Sequence, residues 1–197
     1  MVNKNLNNNV GFTLIELLVA MVISTIVAAG IFSAYQGQQN AQLAQKQIVE
    51  MQQNLRAALY VMTREIRMAG YDPDGGNNAG ITKIGNGADG NPLGFTFWDD
   101  DAGALQTIEY DLYDAYTDGD MDIGRKVGTA NRQAIAENIN TLQFVYLKED
   151  GSVATTTSDV RSIQISIEAT TNFGAVDHTL GNNRMLSTTI NCRNLGI

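Results

Sequence analysis

The sequence begins with a long apolar stretch that gives way to an amphipathic one. From Phe12 to Tyr35 almost every side chain is apolar, which at about 1.5 Å per helical residue is long enough to cross roughly 30 Å of hydrocarbon. After Gln36, apolar residues recur at steps of three and four, which is typical of one helical face. No proline interrupts residues 12–69, so one continuous helix is predicted. The apolar positions of its second half are Ala41, Ala44, Ile48, Met51, Leu55, Leu59, Met62, Ile66 and Ala69.

Beyond this helix the hydrophobic period changes to two. Gly70 and the following Tyr-Asp-Pro predict a helix end, because glycine caps helices in the left-handed conformation and Pro73 cannot continue one. Alternating stretches then predict strands, and the cleanest, SIQISIEA, is expected to pack its isoleucines on the helical stripe. We therefore expect an α+β lollipop, a long N-terminal helix whose C-terminal half packs on an antiparallel β-sheet domain. The predicted strands are 94–98, 107–113, 141–148, 162–169 and 185–191.

Size and charge narrow the possible functions. The chain has 197 residues, enough for one membrane-associated helix and one modest globular domain. Its net charge is −8, and residues 70–197 hold 18 acids against eight bases. Such a surface repels phosphate, which excludes nucleic acid as a partner. Cys192 is the only cysteine, so no intrachain disulfide can form, and we expect its thiol to be buried as a small apolar group.

One charged residue, Glu16, interrupts the apolar stretch. A carboxylate in a lipid-exposed helix costs roughly 2.5 to 3.5 kcal/mol at the membrane centre and less near its edge. Something must therefore neutralise it. Glu16 can complement the dipole of its own helix or extend to the membrane surface, or it can meet a positive group from another molecule.

The amino-terminal segment resembles that of the type IV pilin superfamily, which includes minor pilins and the pseudopilins of type II secretion. A short leader with Lys4 and no acid ends in Gly11 and is followed by FTLIELLVAMVIS. The resemblance implies that a prepilin peptidase cuts between Gly11 and Phe12 and methylates the new amino terminus. It also implies that mature subunits pack their helices into a filament, where Glu16 pairs with the amino terminus of a neighbour.

Two further stretches indicate a branch of the superfamily. LRAALYVMTREIRMAGYDP and STTINCRNLGI resemble PilW-type minor pilins, and pseudopilin J of type II secretion is the alternative. The resemblance implies a role in pilus assembly and initiation near the filament tip. The implied partners are other minor and major pilins, the prepilin peptidase and the inner-membrane assembly platform. The implied location is the bacterial inner membrane, with the C-terminal domain in the periplasm until assembly into a surface pilus.

On this interpretation the chain has four segments. They are a leader (1–11), a transmembrane and filament-core helix (12–36), an amphipathic helix packed on the globular domain (37–69) and a β-rich periplasmic or extracellular domain (70–197). One competing hypothesis is a signal-anchored periplasmic binding or enzymatic domain, which would gain nothing from Glu16. Another is a secreted protein cleaved after residues 27–29 or 32–34, which the charge inside the apolar segment disfavours.

Little else in the sequence indicates chemistry. Residues 99–122 hold nine acids and no base, and Asp118, Asp120 and Asp122 recur at every second position. This spacing can direct three oxygens at one Ca²⁺ ion, but the EF-hand pattern fails, and a solvated acidic turn is the other interpretation. The single histidine, His178, offers no catalytic triad. We therefore expect no enzyme activity and no cofactor, with Ca²⁺ left open.

Overall fold

The structure is a computed structural model that describes residues 11–170 and 183–196. The chain divides into two compact units, Met1–Lys46 and Gln47–Ile197. The α-helix α1 (Leu14–Ile66) contributes residues to both units. In the first unit the side chains of α1 are exposed along its whole length, apart from a half-buried Ala44. His178 lies outside the described residues.

In the second unit, α1 buries one face. The apolar positions recur every three or four residues, so they share one side of the helix. Each fully buried large side chain contributes about 1.5 to 3 kcal/mol, and this face therefore holds the helix to its domain. The buried residues of α1 are Met51, Leu55, Ala58, Met62 and Ile66.

The helix α1 ends at Ile66, close to the end that Gly70 and Pro73 predict, and a turn with 3₁₀-type hydrogen bonds follows it. The amide groups of Met68 and Ala69 donate to carbonyl oxygens only three residues earlier, at 2.9 and 3.0 Å. Gly70 follows with φ of 80°, the left-handed conformation that glycine adopts without strain. Its amide donates to the carbonyl oxygen of Thr96 at 3.0 Å. The exit from the helix is therefore fastened directly to a strand.

In the described part of the chain, eight strands form two antiparallel sheets. The first sheet has five strands in chain order: β1 (Ile81–Ile84), β2 (Leu93–Asp99), β3 (Ala104–Tyr113), β4 (Asp122–Val127) and β5 (Gln133–Ala136). The second has three: β6 (Ile139–Leu147), β7 (Ser162–Ala169) and β8 (Arg184–Asn191). One 3₁₀ turn, Thr157–Asp159, precedes β7.

The two sheets and the helix share one hydrophobic core. On β7, Ile163, Ile165 and Ile167 are fully buried, while the residues between them are half-buried. The loop between β1 and β2 joins the sheets, since Tyr146 of β6 donates its hydroxyl to the carbonyl oxygen of Gly85 at 2.6 Å. In this loop Gly87 has φ of 96°, and a Cβ there would lie 2.8 Å from the carbonyl oxygen of Leu142. Only glycine fits that position.

A charged cluster fixes the end of α1 to the first sheet. Glu65 accepts hydrogen bonds from Arg125, whose Nη2 lies 2.6 Å from Oε1 and whose Nε lies 3.0 Å from Oε2. Tyr110, fully buried beside Arg125, donates its hydroxyl to the same carboxylate. Burial and the Glu65 carboxylate raise the pKa of Tyr110. The three side chains therefore form one hydrogen-bonded polar contact at the edge of the core.

The predicted α+β fold, with one long N-terminal helix followed by antiparallel strands, is confirmed. All five predicted strands are present, with ends that differ by no more than three residues. The strands β1, β4 and β5 were not predicted, and the strands form two sheets rather than one. Burial of Cys192 is confirmed, and it raises the pKa of this thiol to about 11.

The charged cluster predicts a large cost for removing its carboxylate. Replacing Glu65 by Ala leaves Arg125 and Tyr110 without their acceptor, and we expect the free energy of unfolding to fall by about 2 kcal/mol. The measurement is denaturant unfolding of the full chain in detergent, followed by the fluorescence of Trp98, the only tryptophan. The exposed Glu149→Ala variant is the control. Equal loss in both variants would contradict the assignment.

Candidate assembly site at the amino-terminal end of the helix

The residues before α1 present an open peptide segment. Gly11 and Phe12 precede the helix, and Phe12 is 92% exposed. A Cβ placed on Gly11 would meet no described atom within 4 Å. Packing against the described residues therefore does not require glycine here, and the peptide segment at Gly11 and Phe12 is exposed.

The first turn of α1 is closed by a reciprocal pair of side chains, Thr13 and Glu16. The backbone amide and the hydroxyl of Thr13 both donate to Glu16 Oε2 at 2.8 Å. In return, the amide of Glu16 donates to Thr13 Oγ1 at 3.3 Å. This is the capping box of an S/T-x-x-E sequence, which satisfies amide groups that the first turn otherwise leaves open. Sequence reasoning missed Thr13, although T-x-x-E before an apolar run is the signal for it.

The capping box supports the first interpretation of Glu16, in which the carboxylate serves its own helix. It uses only one of the two carboxylate oxygens, however. No described residue donates a hydrogen bond to Oε1, while Oε2 accepts two. An ionised carboxylate offers about four acceptor positions, so Glu16 retains the capacity to accept a further donor.

Glu16 is also the only charged residue from Phe12 to Gln45. Two hydroxyl groups of the segment are satisfied by the helix itself: Ser24 Oγ donates to the carbonyl oxygen of Ala20, and Thr25 Oγ1 to that of Val22, both at 2.7 Å. By length and composition α1 is apolar enough to cross a membrane, and its most apolar part is not buried by the chain. In such a helix the charge of Glu16 is costly unless the carboxylate is paired with a cation or reaches water.

The carboxylates of Asp118, Asp120 and Asp122, which were considered for Ca²⁺, are not grouped around one point as metal ligands would be. Asp118 and Asp120 lie in the loop between β3 and β4, whereas Asp122 begins β4 and is buried. Asp118 Oδ1 accepts the amide of Asp120 at 3.1 Å, and Asp122 Oδ2 accepts the amide of Ala115 at 3.0 Å. These bonds hold the loop. Burial raises the pKa of Asp122. Among residues 11–170 and 183–196, no three Asp, Glu, His or Cys side chains are grouped to hold a metal ion.

The capping box predicts that Thr13 holds the first turn in place. Replacing Thr13 by Val removes the hydroxyl, which costs roughly 1 kcal/mol at an N-cap, so hydrogen-exchange protection of the Glu16 and Leu17 amides should fall about fivefold. The measurement is amide exchange of the full chain in detergent micelles. Thr25→Val is the matched control, since its hydroxyl bonds within the helix interior. Unchanged protection in Thr13→Val would contradict the capping role.

One family model matches the amino-terminal segment of the chain. Residues 7–32 match the family model described as the prokaryotic N-terminal methylation motif, which spans Gly11, Phe12 and Glu16. No curated protein matches the chain. The motif supports a type IV pilin-like prepilin, a structural rather than an enzymatic class, and suggests peptidase processing and assembly with other pilins. Together with the apolar helix, it fits a membrane-anchored protein.

Proposed function

We propose that this protein is a minor pilin of a type IV pilus. A prepilin peptidase cleaves it between Gly11 and Phe12 and methylates the new amino terminus. Before assembly, the mature chain is a single-pass protein of the bacterial inner membrane, with the β-rich domain in the periplasm. The inner-membrane assembly platform then adds it to a filament with other minor and major pilins, where it helps to initiate assembly near the tip. The protein is a structural subunit and not an enzyme.

The observation that carries this proposal is that, among the described residues, only one oxygen of the Glu16 carboxylate accepts hydrogen bonds. Cleavage after Gly11 creates a positive amine on Phe12, four residues from Glu16 in the sequence. A neighbouring subunit displaced along the filament axis can bring its own amine to the open Oε1, while Thr13 keeps Oε2. A charge pair in an apolar shaft is strong enough to define register, because a misplaced subunit leaves both charges buried and unpaired.

The second candidate function is a pseudopilin of type II secretion, similar to pseudopilin J. It shares the processing step and the role of Glu16, so the two candidates differ in the apparatus that receives the subunit. The run from Leu55 to Pro73 and the closing STTINCRNLGI favour the pilus. Deleting the chain's gene tests the choice, since the pilus proposal expects loss of surface filaments while secretion of exported enzymes continues.

Processing is predicted to depend on Gly11. In Gly11→Leu the bulky side chain occupies the position before the scissile bond, so the leader should remain attached. Immunoblots of peptidase-positive cells should then show a persistently longer chain. Gly30→Leu is the control, because a Cβ at that helical glycine also meets nothing within 4 Å and lies far from the cleavage position. A mature-sized Gly11→Leu product would contradict the cleavage assignment.

Assembly is predicted to depend on the charge of Glu16. Glu16→Gln keeps an oxygen for the Thr13 hydrogen bonds but removes the negative charge, so membrane insertion should persist. Incorporation into sheared filaments should fall at least about tenfold, the equivalent of roughly 1.4 kcal/mol. Ser24→Ala, which removes a polar group already satisfied inside the helix, should assemble normally. If Glu16→Gln is incorporated as well as the wild type, the charge does not set the register.

A further inference from the structure

A polar cleft lies in the second unit, where the chain leaves α1. It has a volume of about 690 Å³ and is lined by residues of the segment 70–81, of the 3₁₀ turn Thr157–Asp159 and of the segment 194–196. Sites for small molecules have volumes of roughly 300 to 1,000 Å³, so the cleft is large enough for such a ligand. We call it the exit cleft.

Two walls of the exit cleft are held by hydrogen bonds. In the segment 70–81, the amide of Gly80 donates to Thr96 Oγ1 at 3.0 Å, and the amide of Thr96 donates to the carbonyl oxygen of Gly80 at 2.8 Å. At the 3₁₀ turn, Arg161 Nη1 donates to the carbonyl oxygen of Ser158 at 2.8 Å. A ligand that enters between walls already fixed in this way pays little conformational entropy to order them.

The third wall, the segment 194–196, lies against the helix exit because Gly70 has no side chain. A Cβ on Gly70 would lie 2.6 Å from Leu195 Cδ2 and 2.9 Å from the carbonyl oxygen of Asn194. Asn194 Nδ2 donates to the carbonyl oxygen of Arg67 at 3.3 Å, which ties this segment to the turn that follows α1. All three walls are therefore held by contacts within the chain.

The charges around the exit cleft disfavour an anionic ligand. Among the described residues that line it, Asp72 is the only charged one, and none is Lys, Arg or His. Asp72 Oδ2 accepts the amide of Asn77 at 2.7 Å, and Oδ1 accepts the side-chain amide of Asn77 at 2.9 Å. These bonds hold the pKa of Asp72 below its usual range, so the carboxylate is ionised at neutral pH. An anion would therefore meet a negative charge and no positive one.

Three side chains of the exit cleft have polar groups that no described residue satisfies. The side-chain amide of Asn78 and the hydroxyl of Thr157 make no hydrogen bond with a described residue, and Asn194 uses only Nδ2, which leaves Oδ1 open. Amide and hydroxyl groups between them both donate and accept, so they can bind a hydroxyl group in either direction. Ile81 and Leu195 add a small apolar area to this lining.

We propose that the exit cleft binds a neutral saccharide. The hydroxyl groups of a saccharide donate and accept hydrogen bonds, which matches the open amide and hydroxyl groups of the cleft. Its C–H groups can lie on the apolar area of Ile81 and Leu195, and it brings no charge to an acidic domain. Each hydrogen bond replaces one to water, so binding depends on several bonds made together. The inference goes beyond the proposed function, because this binding does not require assembly into a filament.

Binding to a printed array of neutral and acidic oligosaccharides tests the proposal. The full chain is purified in a detergent without a sugar head group, because a maltoside or glucoside detergent would compete for the cleft. We expect binding to neutral members of the array and none to their sialylated or sulfated counterparts. Isothermal titration calorimetry then gives the dissociation constant of the neutral oligosaccharide that binds best.

Two substitutions test whether the saccharide lies in the exit cleft. Asn78→Gly removes the amide and keeps a backbone with φ of 55°, and Thr157→Val removes a hydroxyl at similar volume. Each should weaken binding about fivefold, as expected for the loss of one neutral hydrogen bond. The matched controls lie outside the cleft and should bind normally. They are Asn138→Gly, at an exposed asparagine with φ of 59°, and Thr155→Val, at an exposed threonine.

Three results would overturn the saccharide proposal. If no neutral oligosaccharide binds, the exit cleft is an ordinary hydrated groove. If one binds but Asn78→Gly and Thr157→Val bind it as tightly as the wild type, the saccharide lies elsewhere. If acidic oligosaccharides bind equally well, the cleft does not select by charge. None of these results affects the minor pilin proposal, which fails separately if the chain is neither processed nor assembled.

Discussion

The proposed function depends on how one carboxylate is accommodated in an apolar helix. Glu16 is the only charge from Phe12 to Gln45, and hydrocarbon provides no water to solvate it. The capping box with Thr13 satisfies Oε2 and the open amides of the first turn, so the group is tolerable in a single subunit. Because the other oxygen, Oε1, accepts no hydrogen bond from a described residue, pairing with a cation would stabilise the carboxylate further. A local helix cap and an intermolecular charge pair are therefore compatible roles of the same residue.

The two units of the chain differ in how much of α1 they bury. Among the described residues, the apolar first half of α1 is not buried, and an apolar environment such as a membrane would cover it. The second half resembles a helix of an ordinary globular domain, with one face in the core and Glu65 tied to Arg125 and Tyr110. This tie keeps the domain attached to the helix that a filament would hold.

Sequence patterns predicted elements that are governed by local periodicity and missed those that depend on distant contacts. The isoleucines of β7 alternate cleanly, and its ends agree with the prediction. In β4 the alternation is broken because Arg125 occupies a position facing the core, where Glu65, 60 residues earlier, satisfies it. No local pattern reveals that pairing. At the candidate site, Gly11, Phe12 and Glu16 were predicted from the motif, and their roles stay predictions, whereas the capping contact of Thr13 required the hydrogen-bond geometry of the first turn.

The account rests on a free amine being created at Phe12, within reach of a carboxylate that is only half satisfied. Mass spectrometry of the mature protein, purified from cells that contain the processing peptidase, tests this most directly. The account predicts an amino-terminal peptide that begins with N-methylated Phe12. A chain that retains Met1, or one that begins after Ala34, would have no amine at the required position and would contradict the account.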